Sequence, residues 1–110
     1  MAFTAAFIAH SPDADPARHR TVIETGMYTI HTIVVRDQQQ GLAAARELVG
    51  EHGVRSLLLC PGHSNEDIGE IAAAVGEGVS VSVARGDPRG GRVAAKAMEE
   101  AGWFAGGPRG

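Results

Sequence analysis

The sequence is 110 residues long, with 44% hydrophobic residues, 21% charged residues and a formal net charge of −3. This length suits a single domain, and the composition is that of a globular protein rather than a disordered chain. The negative charge argues against general nucleic-acid binding, and no apolar run approaches the roughly 20 residues of a membrane span. A single cysteine, Cys60, excludes an intrachain disulfide and predicts a reducing, cytoplasmic location.

The first half of the chain predicts two strands and two helices. Residues 3–9 form a short apolar run, which predicts a buried strand. Asp15 and Pro16 provide an N-cap and a first-turn proline, and Gly26 provides a stop, so a short helix is expected between them. A β-branched alternation predicts a strand over residues 28–35, and an apolar stripe predicts a helix over residues 38–52.

The second half of the chain continues the alternation of strand and helix. Residues 54–60 form the next predicted strand, and its run Leu57-Leu58-Leu59 is apolar on both faces, which is typical of a central strand. Ser64 or Asn65 caps a helix that ends at Gly76, and residues 79–84 form the next predicted strand. Residues 90–101 complete the set as a helix. One domain is expected over residues 1–104, followed by a flexible tail over residues 105–110.

Four repeats of strand and helix predict an α/β fold with parallel strands and right-handed crossovers. Four strands cannot close a barrel, so we predict an open, flavodoxin-like parallel sheet of order 2-1-3-4 with helices on both faces. Strands 1 and 3 are neighbours in this order. The crevice beyond their carboxyl ends is the expected ligand site, because open α/β sheets bind ligands where strand order reverses.

The stretch from Ser11 to Gly26 carries the pattern DPxRHRxVIETG after the first strand. With it, the chain resembles a family of short bacterial proteins of unknown function. The likeness extends over residues 3–85 and includes a cysteine that ends the third strand. The resemblance implies the fold and no particular activity. The sequence departs from the family after Cys60, where Pro61-Gly62-His63 stands in place of a glycine-rich segment with an aromatic residue.

The candidate catalytic residues lie at the ends of predicted strands 1 and 3. His10 and Ser11 end the first of these strands, and Cys60 and His63 end the other. A thiol near histidines and a helix start has a lowered pKa, which suits a nucleophile or a proton-transfer pair. We therefore predict catalytic roles for Cys60, His10 and His63 and a ligand contact for Ser11. The alternative is that Cys60 is an inert residue of a buried strand.

A metal site is a second interpretation of the same residues. Cys60 and His63 have a permissible ligand spacing, and His10 or Asp13 would complete the set. A single Cys-x-x-His without a second ligand pair is a weak signal, however. The sequence therefore predicts no metal and no other cofactor.

Two basic segments are candidates for anion binding. Residues 18–20 place a basic cluster in the first turn of predicted helix 1, where a bound anion would offset its unfavourable position. Nearby aspartates provide an alternative, local neutralisation. The loop at residues 85–92 combines glycine with arginine, as phosphate-accommodating loops do, although most such loops are simple turns. We predict that Arg20, Arg85 and Arg89 contact an anionic ligand.

These residues predict a cofactor-independent isomerase or lyase that performs acid–base chemistry on a small anionic metabolite. The alternative is a non-catalytic protein that binds a small ligand or serves in assembly. A homodimer is expected because a short sheet exposes two edges and Trp103-Phe104 has little core to enter. No nucleic-acid or membrane partner is expected.

Overall fold

The computed structural model of this chain describes residues 1–105. Residues 106–110 of the predicted flexible tail therefore lie outside the described residues. The elements in chain order are β1 (Phe3–His10), β2 (Arg20–Glu24), β3 (Tyr28–Val35), α1 (Gln38–His52), β4 (Ser56–Leu59), α2 (Asn65–Val75), β5 (Ser80–Val83) and α3 (Pro88–Glu100). Within the described range, no helix combines the length and the apolar character that a membrane span requires.

The strands form one mixed sheet of order β2-β3-β1-β4-β5. β1 is parallel to both β3 and β4, and β5 is parallel to β4, whereas β2 is antiparallel to β3. The predicted four-stranded, all-parallel sheet is therefore wrong: the described sheet has five strands, and three helices accompany it. Strand β1 nevertheless lies beside β4, so the carboxyl ends of these two strands share one edge.

The segment predicted as the first helix is a turn followed by β2. The backbone N–H groups of Arg18 and His19 both donate to the carbonyl oxygen of Asp15, at 3.0 and 2.8 Å, and close the turn. Residues 21–23 are all β-branched, which disfavours a helix and favours a strand. Their antiparallel pairing with β3 satisfies the backbone, so the Asp-Pro pair begins a turn rather than a helix.

Helices α1 and α2 pack against each other and against one face of the sheet. α1 begins at the Asp37 N-cap and ends at Gly53, whose φ of 68° is the left-handed conformation that glycine adopts without strain. The buried core lies between these helices and the sheet. Its members are Ala6, Ile8, Ile33, Val35, Ala44, Ala45, Leu48, Val54, Leu57, Leu59 and Ile71.

The opposite face of the sheet is bare in the described part of the chain. The crossovers through α1 and α2 run across the sheet in the same direction, so both helices lie on one side. The connection from β1 to β3, which would place a helix on the other side, contains β2 instead. α3 does not cover the gap, because every residue of α3 except Met98 is exposed. The prediction of helices on both faces is therefore wrong for residues 1–105.

Candidate functional site

The carboxyl ends of β1 and β4 bring together three side chains that are distant in sequence. β1 ends at His10, and Cys60 directly follows β4. The backbone N–H of Cys60 donates to the carbonyl oxygen of Ile8 at 3.1 Å, which continues the pairing of the two strands by one residue. Cys60 therefore lies beside the end of β1.

A tight turn returns His63 to Cys60. The backbone N–H of His63 donates to the carbonyl oxygen of Cys60 at 3.1 Å. Gly62 lies close to both functional side chains: a Cβ there would lie 3.4 Å from His10 Nδ1 and 3.5 Å from Cys60 Sγ. Ser64 then caps α2, and its side chain and that of Asp67 form a reciprocal capping box. The start of α2 thus fixes the position of His63.

The thiol lies between two imidazole rings. Cys60 Sγ is 3.5 Å from His10 Nδ1 and 3.6 Å from His63 Nδ1. The ring centroids of the two histidines are 4.3 Å apart, with a 41° angle between the planes. His63 is only 6% exposed, and its Nε2 has no hydrogen-bond partner within residues 1–105. The structure therefore brings together all three residues that were predicted to be catalytic.

The electrostatics of this cluster favour a thiolate. Burial raises the pKa of Cys60, but hydrogen bonds from the side chains of His10 and His63, aided by backbone groups of Gly62 and His10, outweigh it and lower the pKa from 9.0 to about 5. Burial lowers the pKa of His63, yet its interactions with Cys60 dominate and raise that pKa overall. Cys60 and His63 thus favour each other's charged forms.

A cavity of about 480 Å³ adjoins the cluster. The cavity is lined by His10, Ser11, Pro12, Arg36, Asp37, Trp103 and Phe104. The guanidinium of Arg36 is oriented by a hydrogen bond of 2.8 Å from Nη1 to the carbonyl oxygen of Ala14. His10 belongs to the cavity wall and also contacts the thiol, so it connects the cavity with the cluster.

Ser11 lies at this cavity, as the candidate site requires, but Arg20 lies elsewhere. The hydroxyl of Ser11 donates to Asp13 Oδ1 at 2.7 Å. Arg20 is aligned with Ile33 of β3, so three strand spacings, about 14 Å, separate it from β4. It forms a two-pronged ion pair with Glu47, at 2.6 and 3.2 Å, which raises the pKa of Arg20. Because no helix begins at residue 16, the argument for an anion at that helix start no longer holds.

Arg85 and Arg89 are exposed and do not line this cavity. They flank Asp87, which caps α3 by accepting a 2.6 Å hydrogen bond from the backbone N–H of Gly90. The glycine in this loop is therefore part of a helix cap. Contact of Arg85 or Arg89 with a ligand remains a prediction.

Of the seven lining residues, sequence reasoning assigned only His10 and Ser11 to the site and missed the other five, among them Arg36 and Trp103. Arg36 directly follows β3, and the carboxyl ends of parallel strands share one edge, so its position in the sequence held the necessary signal. Trp103 reaches the cavity from the segment after α3. No local sequence pattern predicts the position of the residues that follow α3.

Comparison with known proteins assigns the family. Residues 3–99 match a family of unknown function, DUF6506, and the chain belongs to that family. No curated protein matches this sequence, and no solved structure matches it. The resemblance to a family of unknown function is thereby confirmed, whereas the signature at residues 15–26 stays a prediction.

Proposed function

We propose that the protein is a cofactor-independent isomerase or lyase that moves protons on a small anionic metabolite. The observation that carries the proposal is the position of His10. Its ring contacts the Cys60 thiol at 3.5 Å and also forms part of the wall of a cavity of about 480 Å³. A cavity of this size accommodates a small metabolite.

The three side chains have complementary roles in this proposal. The pKa of Cys60 is lowered and that of His63 is raised, so this pair of a half-buried cysteine and a buried histidine favours a thiolate and an imidazolium and would supply one base and one acid. His10 carries a proton between this pair and the bound molecule, because it is the member of the cluster that lines the cavity. Positioned acid–base groups of this kind contribute roughly 10²–10⁴-fold to a rate.

The position of Arg36 favours an anionic substrate in this proposal. Its guanidinium lines the cavity, and its bond to Ala14 uses only one of the five N–H donors of the group. Asp37 shares the cavity wall, but its carboxylate accepts from the backbone N–H of Gln40 as the cap of α1. Arg36 therefore takes the role that was predicted for Arg20, as the donor to a carboxylate or phosphate.

Proton exchange with solvent tests the proposed reaction. The protein is incubated in D₂O with small hydroxy and oxo carboxylates and their phosphate esters, and loss of C–H signals is followed by NMR. We expect exchange in at least one compound, with Cys60→Ser and His10→Asn each slowing it by about 10² or more. His52→Asn, a histidine outside the cluster, is the matched control and should exchange normally. No exchange in any compound, or equal exchange with Cys60→Ser, would contradict the proposal.

We further propose that the bare face of the sheet pairs with a second copy of the chain. Alternation along the strands places only apolar and uncharged polar side chains on this face. They are Phe3, Ala5, Phe7, Ala9, Thr21, Ile23, Tyr28, Ile30, Thr32, Val34, Ser56, Leu58, Ser80 and Ser82. Four strand spacings and the eight residues of β1 give it roughly 500 Å² in projection. Side chains add to this area, which approaches the ~800 Å² per partner of a stable complex.

A charge placed on this face should give a monomer. Leu58 lies on β4, beside Phe7 of the central strand β1, and is 42% exposed, so Leu58→Lys would bury a charge against the partner. We expect light scattering to give a dimer mass for the wild type at micromolar concentration and a monomer mass for Leu58→Lys. Val93→Lys, at a 66% exposed apolar position on α3, should remain dimeric. A monomeric wild type, or dissociation by the α3 variant alone, would exclude the sheet face as the interface.

A further inference from the structure

We infer that Cys60, His10 and His63 also form a Zn²⁺ site with three protein ligands and a fourth position open to water or a small molecule, in a metal-bound state that is an alternative to the metal-free state of the proposed acid–base function. The inference goes beyond the acid–base function, because it uses the geometry of the side chains and not their proton transfers. One ligand atom from each residue lies within 4.8 Å of the others. One sulfur and two nitrogens suit zinc and exclude Mg²⁺ and Ca²⁺, which prefer oxygen.

The distances match tetrahedral zinc. Zn–S and Zn–N bonds of about 2.3 and 2.0–2.1 Å at tetrahedral angles place sulfur about 3.5–3.6 Å from each nitrogen. The observed separations from Cys60 Sγ are 3.5 Å to His10 Nδ1 and 3.6 Å to His63 Nδ1. Two of the three edges of the ligand set therefore already have their metal-bound lengths. The ligand atoms all lie within 4.8 Å of one another, and the remaining edge, between the two nitrogens, is about 3.3 Å in tetrahedral zinc.

The backbone holds these ligands in place. Cys60 and His63 lie on one tight turn, closed by the 3.1 Å bond between the His63 N–H and the Cys60 carbonyl. His10 is fixed by the pairing of β1 with both of its neighbours. Gly62 leaves room beside Sγ and His10 Nδ1 that a larger residue would fill. His10, on the neighbouring strand β1, thus adds a third ligand to the pair formed by Cys60 and His63.

Burial of His63 shields the ligand set from bulk water. This imidazole is 6% exposed, and its Nε2 lacks a hydrogen-bond partner in the described part of the chain. Burying an incompletely bonded polar ring costs free energy. The unpartnered atom is Nε2, whereas Nδ1 is the atom that faces Cys60 Sγ, so metal binding at Nδ1 is supported by the ligand geometry and not by this cost.

Zinc competition and cobalt spectroscopy test the inference. The full chain is stripped with a chelator and titrated with Zn²⁺ against a chromophoric chelator. We expect one Zn²⁺ per chain with a Kd of about 1 μM or tighter, and no effect of Mg²⁺. Co²⁺ should give a thiolate-to-metal charge-transfer band and the intense visible bands of tetrahedral cobalt. Bound zinc should also protect Cys60 from iodoacetamide.

Variants assign the ligands. Cys60→Ser, His10→Asn and His63→Asn should each weaken zinc binding at least about tenfold, whereas His52→Asn should bind as the wild type does. The cobalt spectrum of the wild type is informative even if a variant at buried His63 does not fold. Absence of the charge-transfer band, or equal zinc affinity in Cys60→Ser, would overturn the inference.

Failure of this inference and failure of the proposed function are distinguishable. A protein that exchanges substrate protons with solvent but does not bind zinc keeps the acid–base function and loses the metal site. A protein that binds zinc through Cys60 but exchanges no protons keeps the metal site and loses the acid–base function.

Discussion

Alkylation of Cys60 by iodoacetamide is expected to have a midpoint near pH 5 in the native, chelator-treated protein. Only the thiolate reacts, so the rate should rise through the thiol pKa and then stay level. Burial alone would raise this pKa, but the hydrogen bonds from His10 and His63 lower it to about 5. A free cysteine titrates near pH 8.5, so the two profiles differ by about three pH units or more.

The rate advantage is smaller than the shift in midpoint. At pH 6 a thiol of pKa 5 is mostly ionised, whereas about 0.3% of an ordinary thiol is ionised. Nucleophilicity falls with pKa, with a Brønsted coefficient of about 0.4–0.5, which removes a large part of this advantage. We therefore expect alkylation about tenfold faster than that of a free thiol at pH 6. The midpoint is the diagnostic quantity.

Substitution of either histidine should raise the midpoint. His10→Asn and His63→Asn each remove one of the two side-chain hydrogen bonds that stabilise the thiolate, and we expect a rise of about one pH unit or more. Asp67 also faces the cluster and helps to raise the pKa of His63, so it supports thiolate formation indirectly, through the charged form of His63. His52→Asn is the control and should leave the midpoint unchanged. Alkylation seen only after denaturation would make Cys60 structural and would remove the catalytic proposal.

Adjacent leucines on β4 should differ greatly in their effect on stability. Leu57 is 0% exposed and lies in the core beneath the helices, so Leu57→Ala should lower the free energy of unfolding by about 2–5 kcal/mol. Leu58 is 42% exposed on the bare face, and Leu58→Ala in the monomer should cost less than about 1 kcal/mol. Urea denaturation at several protein concentrations measures both values.

The concentration dependence separates core packing from dimer formation. The Leu57→Ala loss should be present at every protein concentration, because it leaves a cavity within one chain. Any additional loss of unfolding free energy for Leu58→Ala should increase with protein concentration, because Leu58 belongs to the proposed interface. Equal losses for the two variants at low concentration would contradict the placement of both helices on one face.

Several elements could be predicted because their signals are local. α1 has an apolar stripe that ends at a helix-stopping glycine, and β3 has an alternating β-branched sequence. β2 could not be predicted in this way, because Asp15-Pro16 is equally suited to a turn and to a helix start. Its strand conformation depends on pairing with β3. Because this one segment is a strand and not a helix, the sheet has five strands instead of the predicted four. One strand pair is antiparallel, and one face of the sheet lacks the predicted helix.

The meeting of His10 with Cys60 was predictable from topology, since β1 and β4 are neighbours whose chains run in the same direction. The cavity beside them was not predictable. Its wall depends on the direction in which the chain leaves α3, which brings Trp103 and Phe104 to the cavity. Arg20 was misplaced for the same reason that β2 was missed: a strand, unlike the predicted helix, directs this side chain toward Glu47 of α1.

The pairing of β1 with β4 makes the reactivity of the thiol a property of the folded chain. Cys60 and His10 are separated by 50 positions, and a hairpin and a helix lie between them in the sequence. Contacts this distant in sequence form late, because a long loop must first be closed. The newly synthesised chain therefore has an ordinary, mostly protonated cysteine at neutral pH. The thiolate arises with native structure, so an incompletely folded chain is protected from premature reaction at this residue.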